Sequence, residues 1–202
     1  MRNVSTSVLS LAAMVLSSMT TYLTFFDARY TLTAAISSIS GSTQRSAGSN
    51  GETYSVSFFH YATPAIILSN RGTRSLVVTE VNLVRSSSKD TCEATEERLK
   101  PFSFESFIVE PDTVQQMKLE YPLPKAEGER SADEAFNLAS RDDLWCLEWI
   151  VFDQNGGRRE PLMPAMTFKA DYVPDEDGEY LDAEIDMDAP KAPFTLLTRG
   201  LL

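Results

Sequence analysis

Apolar and polar positions alternate with a period of two over much of this chain, and that spacing predicts strands. YTLTAAI, residues 30–36, puts Tyr30, Leu32, Ala34 and Ile36 on one side. RSLVVTEVNLVR, 74–85, aligns Val77, Thr79, Val81 and Leu83. In TVQQMKLEY, 113–121, Met117, Leu119 and Tyr121 alternate with Gln116, Lys118 and Glu120. YSVSFFHY at 54–61, PAIILS at 64–69 and FSFESFIV at 102–109 read as further strands. LWCLEWIVFD at 144–153 is the strongest. It runs into QNGG, where Asn155-Gly156 suits the positive-φ positions of a hairpin leading into RREPLMPAMTFKADY. Two pairs, Asp90 with Glu93 and Ser131 with Glu134, have the spacing of capping boxes and predict short helices. Seven or eight short strands with turns between them predict a mostly β chain folded as an antiparallel sandwich.

The first segment has a different pattern. No charge occurs from Asn3 to Phe26, and every residue from Val4 to Phe26 is apolar, serine or threonine. A secretory apolar core is shorter and ends in small residues, whereas Phe25-Phe26-Asp27 is bulky. Hydroxyls are tolerated in a membrane helix because they bond back to backbone carbonyls. The length suffices to cross a bilayer, and Tyr22, Phe25 and Phe26 fit an interfacial belt. The expectation is one uncleaved transmembrane signal-anchor helix over 1–27. Arg2 precedes it, while Asp27 and Arg29 cancel, so the N-terminus is expected in the cytoplasm and the remainder outside. Ala13, Ser17 and Thr21 repeat every four residues and offer a face for helix–helix packing.

Composition and charge narrow the partners. The net charge is -11 over 202 residues, which excludes phosphate neutralisation and hence nucleic acid. Nine carboxylates and no lysine or arginine lie between Asp171 and Pro190. The expected division is therefore a juxtamembrane strand and polar linker over 28–51, a β-sandwich domain over 52–170, and an acidic C-terminal segment over 171–202. That segment ends in APFTLLTRGLL, an apolar docking peptide or a last strand completing a sheet.

LSNRGTRSLVVTEVNLV, an Asn-x-Gly turn followed by a strand, resembles the hairpin of bacterial immunoglobulin-like and fibronectin-like domains. One N-terminal helix followed by one such domain is similar to many small envelope proteins. The resemblance spans 52–170 and implies an immunoglobulin-like sandwich. The immunoglobulin Cys…Trp…Cys pattern is not met, because Trp145 and Trp149 flank Cys146 and Leu144 stands where a tyrosine is expected.

Few residues carry chemistry. Cys92 and Cys146 are the only cysteines, and on the expected outer side they are read as one disulfide. His60, the only histidine, lies among aromatic residues and reads as a packed side chain. A calcium loop aligned on Gly178 would use Asp175, Asp177 and Glu184, but Val173 occupies its first ligand position. No catalytic or phosphate-binding motif occurs, so no enzyme activity and no cofactor beyond that weak calcium site are expected. The reading is a non-enzymatic interaction or accessory subunit of a bacterial inner-membrane or envelope complex, with a periplasmic domain and a membrane or envelope protein as partner. The alternative is an extracytoplasmic ligand- or calcium-binding sensing domain.

Overall fold

The computed structural model describes residues 13–18, 30–93, 97–131, 134, 136–153, 156–174 and 181–199. Two antiparallel sheets pack face to face. The first contains β1 (Tyr30–Ser49), β2 (Thr53–Asn70), β6 (Thr113–Lys118), β7 (Tyr121–Pro122), β8 (Ala126–Ser131) and β13 (Phe194–Arg199). Its order is β13-β1-β2-β6, with β7 and β8 also paired to β2. The second contains β3 (Leu76–Arg85), β4 (Arg98–Leu99), β5 (Phe107–Val109), β9 (Arg141–Phe152), β10 (Arg158–Arg159), β11 (Leu162–Pro174) and β12 (Leu181–Asp188). Its order is β12-β11-β9-β3-β4, with β5 on β3 and β10 on β9.

Alternation decides what lies between the sheets. Even positions of β2, from Val56 through Phe58 and Ile66 to Leu68, point inward and are buried. Trp145, Leu147 and Trp149 of β9 meet them from the other sheet, with Leu76, Val81, Met163 and Phe168 filling the gaps. Tyr121 spans the layers by donating its hydroxyl hydrogen to the Val81 carbonyl at 3.0 Å. The Asn70 turn singled out in the sequence is a buried clasp between sheets. Its amide nitrogen donates to the carbonyls of Arg74 and Val109, and its side-chain oxygen accepts from the Gly72 amide.

β9 is buried on both faces. Leu144, Cys146, Glu148 and Ile150 point away from the sandwich yet are buried. The chain after β3 is tied across them. The Ser86 amide donates to the Leu144 carbonyl, Lys89 pairs with Asp142, and Arg98 with Glu148. Cys92 and Cys146 form a disulfide with Cα atoms 6.0 Å apart. The expected pairing is therefore present, and it ties a flap to an outer face. The parity of β9 explains why it does not cross between sheets: the tryptophans take the inner positions and Cys146 takes an outer one.

Several expectations are corrected. Residues 37–49 are not linker but the second half of β1, paired to β2 from Ser38 to Ser49. The sandwich therefore begins at β1 rather than at 52. It also extends past 170: β12 pairs with β11 from Thr167↔Asp188 to Pro174↔Leu181, and β13 pairs with β1. The apolar C-terminal stretch is thus a sheet strand. The runs at 54–61 and 64–69 form one strand, while 102–109 is strand only over β5. Neither capping box opens a helix among the described residues. Ser86 and Ser88 hydroxyls accept backbone amides of 88, 90, 91 and 93, so side chains take the bonds that a first helical turn would need. Ser131 instead closes a turn with Glu134. Gly156 has φ 76°, as the hairpin requires; Asn155 lies outside the described residues. Of the N-terminal run only a helical stretch over 13–18 is described, with Met14, Val15 and Leu16 exposed. Among the described residues no helix is long and apolar enough to cross a membrane.

The disulfide spans 54 residues, so its loss should cost about 4 kcal/mol by chain entropy. Urea unfolding of Cys92→Ser against the oxidised wild type checks this. Equal midpoints and slopes would contradict it.

Candidate functional site

Three places combine polar chemistry or unfilled surface with a rigid support. The first is a chain of side chains through the sandwich. Thr43 on β1 lies 2.9 Å from His60 Nδ1, and His60 Nε2 lies 3.0 Å from the Tyr172 hydroxyl on β11. His60 is fully buried, packed by Phe58 and Phe168. Burial, reinforced by the positive field of Arg141, lowers its pKa to about 4. A neutral imidazole donates through one nitrogen and accepts through the other, and both hydroxyls can complement it. The arrangement joins the two sheets by a satisfied polar bridge. The packed histidine expected from the sequence is what the structure holds.

The second is the Glu148 cluster on the outer face of β9. Arg98 Nε and a terminal guanidinium nitrogen donate to the two carboxylate oxygens at 2.8 and 2.9 Å, and Asn82 donates at 3.2 Å. The Arg98 hydrogen bonds hold the Glu148 carboxyl below its usual pKa. This bidentate pair clips β4 to β9 beside the disulfide.

The third is an edge groove. β6 pairs with β2 on one side, and among the described residues its other edge has no strand partner. Alongside it runs a groove of about 510 Å³, lined by Ser103, Phe104, Glu105, Phe107, Gln115, Gln116, Met117 and Leu119. The groove exists because the segment between β4 and β5, both of the second sheet, reaches over to the first sheet. The Phe102 amide donates to the Glu120 carbonyl at the start of that stretch, and Gln115 donates to the Ile108 carbonyl at its end. Ile108 and Val114 are exposed beside it. A smaller recess of about 230 Å³ lies at the far end of β1 and β2, between Arg45, Tyr54, Val56, Phe136 and Leu181.

Glu184 is exposed in the middle of β12, opposite Asp171, where an EF-hand would need the start of a helix. Asp175 and Asp177 lie outside the described residues. Among the described residues no group of three or more histidine, cysteine or carboxylate side chains is placed to hold a metal ion. Ala13 and Ser17 fall in the described helical stretch, and Thr21 does not. Sequence reasoning missed the edge groove, because Phe104 and Phe107 come beside Met117 and Leu119 only where the segment between β4 and β5 reaches the first sheet.

No family model matches the chain, and no curated protein matches it. Two solved structures are similar over part of it. One is an X-ray structure of a structural-genomics target, 11% identical, with TM-score 0.31, covering 63% of this chain and 83% of that one. The other is a Bordetella pertussis protein assigned as ApaA, 12% identical, with TM-score 0.31, covering 65% of this chain and 91% of that one. Likeness of this degree adds nothing to the sheet order described above.

His60 gives a pH signature. Its folded pKa lies below the ordinary 6.5, so the unfolded chain binds more protons between pH 6.5 and about 4. Stability is then full above pH 6.5 and falls as pH drops through that window. Between pH 7 and 4.5 the wild type should lose about 2 kcal/mol more than His60→Gln. Denaturant titrations at both pH values measure the difference, and parallel losses would refute it.

Proposed function

We propose that this protein is a non-enzymatic, membrane-anchored accessory subunit whose β-sandwich works outside the cytoplasm by binding another envelope protein. The observation that carries the reading is the edge groove: an open β6 edge offers backbone donors and acceptors beside a trough that holds Phe104, Phe107 and Met117. An extended segment laid along β6 would complete its hydrogen bonds and insert alternate side chains between Phe104, Phe107 and Met117. The Cys92–Cys146 bond supports an oxidising compartment, hence a periplasmic sandwich. The anchor rests on the uncharged run ending at Phe26, and the cytoplasmic N-terminus on Arg2.

The sheet order supports an immunoglobulin- or fibronectin-like reading of the sandwich. β1, β2 and the β6–β8 group correspond to strands A, B and E, and β3, β9 and β11 to C, F and G. β12 and β13 are additions after the last of these. The net charge of -11 argues for a protein partner over nucleic acid.

A photo-crosslinking residue in place of Gln116, which is exposed in the groove, tests the reading in intact cells. A discrete adduct to a membrane or envelope protein is expected at this position and not at Glu52, at the distant β1–β2 turn. The reading fails if Gln116 yields no adduct or the same adducts as Glu52.

A further inference from the structure

The edge groove has a backbone parity and a charge that together describe what fills it. The Leu119 amide donates to the Pro64 carbonyl, so these two residues form a hydrogen-bonded pair at the end of the β2–β6 ladder. Such pairs alternate along an antiparallel ladder. With Ile66 opposite Met117 and Leu68 opposite Gln115, it is Val114, Gln116 and Lys118 that turn their backbone N–H and C=O groups to the open edge. The facing wall is fixed by the Phe102–Glu120 bond, by the Ser106 hydroxyl donating to the Thr79 carbonyl, and by Gln115 on the Ile108 carbonyl. Phe104 and Phe107 meet within that wall, ring centroids 6.0 Å apart, and supply its apolar part. Glu105 stands between them in the chain and is the one formally charged residue lining the groove. It is exposed and enters no ion pair among the described residues.

We propose that the occupant of this groove is an extended cationic segment, a strand of alternating apolar residues that sets a lysine or arginine against Glu105. The inference rests on the β6 edge being a docking site and names the chemistry of what docks there. The charges around the groove select a cation. Glu105 lines it, Glu110 and Asp112 precede β6, and Glu120 follows it; all are exposed and none enters an ion pair among the described residues. Against them stand Lys118 on β6, Lys100, whose amine lies 4.0 Å from Glu80, and Arg71 and Arg74 at the β2–β3 turn beyond Thr113. Lys118 alternates with Met117 and Leu119 and so points to the other side of the sheet from these lining side chains. Glu105 is therefore left facing the trough without a cation of its own chain. The net charge of -11 adds attraction for a basic strand and repulsion for an acidic one. A lysine or arginine also suits a wall that is apolar and acidic at once. Its stem packs along the Phe104 and Phe107 rings while its head reaches the carboxylate. An acidic strand would meet Glu105 with like charge, and a neutral one would leave it unmatched.

The test is fluorescence anisotropy of the full chain with labelled heptapeptides blocked at both ends: Thr-Val-Thr-Lys-Thr-Val-Thr and its glutamine and glutamate versions. The lysine peptide is expected to bind about fivefold more tightly than the glutamine one, as one exposed ion pair allows, and the glutamate peptide most weakly. N-methylating one alternate set of its amides should abolish binding, and methylating the other set should spare it, because an added strand pairs along one edge. Glu105→Lys should reverse the order of the lysine and glutamate peptides. Glu129→Lys, the same change of charge at an exposed position of β8, should keep it. The proposal is overturned if no peptide binds, if the glutamine or glutamate peptide binds as tightly as the lysine one, if both methylated sets behave alike, or if Glu129→Lys also reverses the order. A distinct adduct at Gln116 with equal binding of all three peptides removes the cationic occupant and leaves the docking edge. Lysine-selective binding governed by Glu105, with no adduct at Gln116, supports the groove chemistry and removes only the envelope partner.

Discussion

The structure depends on β9 being buried on both faces. A strand at the centre of a two-layer sandwich ordinarily needs apolar side chains on one face only. Here Trp145, Leu147 and Trp149 fill the space between the sheets, while Leu144, Cys146, Glu148 and Ile150 require cover on the opposite side. The flap after β3 supplies it and is fastened by two unlike devices, a disulfide at Cys146 and a bidentate arginine at Glu148. Burying a carboxylate is costly unless it is paired and hydrogen-bonded, and Glu148 has Arg98 and Asn82 as partners. The second sheet is thereby closed on both sides around β9, and the uncommitted surface of the protein shifts to the first sheet and its edges.

That division explains where the functional surfaces lie. The first sheet has only β2 as its hub, with β1, β6, β7 and β8 arranged around it. Its outer face is uncovered and carries Tyr61 and Phe102, and its β6 edge opens beside the groove. The groove sets Phe104, Phe107 and Met117 beside an open strand edge and suits strand addition from a protein, whereas the outer face mixes aromatic and hydroxyl groups with the Lys125–Glu127 pair.

How much of this was legible in the sequence follows from burial. β9 and the apolar half of β2 announce themselves as short, nearly continuous apolar runs, the mark of strands buried on both faces, and β3 by its apolar residues between turn signals. The Cys92–Cys146 bond follows from a count of two. The second half of β1 is hidden because it is made largely of exposed serines and glycines, and its strand conformation comes from pairing with β2 rather than from its own pattern. β12 did alternate, with Leu181, Ala183, Ile185 and Met187 against four carboxylates, but the charge density reads as a tail. β8 is obscured in the same way by Glu127 and Glu129. The serine-rich flap mimics helix caps, since a hydroxyl accepting backbone amides is the same device in a turn. Tyr61 and Phe102 are brought together by the register of β2 with β7 and the Phe102–Glu120 bond, none of which local pattern reveals.

Hydrogen exchange followed by mass spectrometry, on oxidised and reduced protein, tests the central role of the doubly covered strand. The account predicts that peptides from β9 exchange slowest in the oxidised protein. On reduction, peptides over 86–93 and 97–99 should lose protection and the β9 peptides should lose part of theirs, while β1 and β2 keep theirs. Uniform exchange across both sheets, or a flap and β9 equally protected with and without the disulfide, would contradict it.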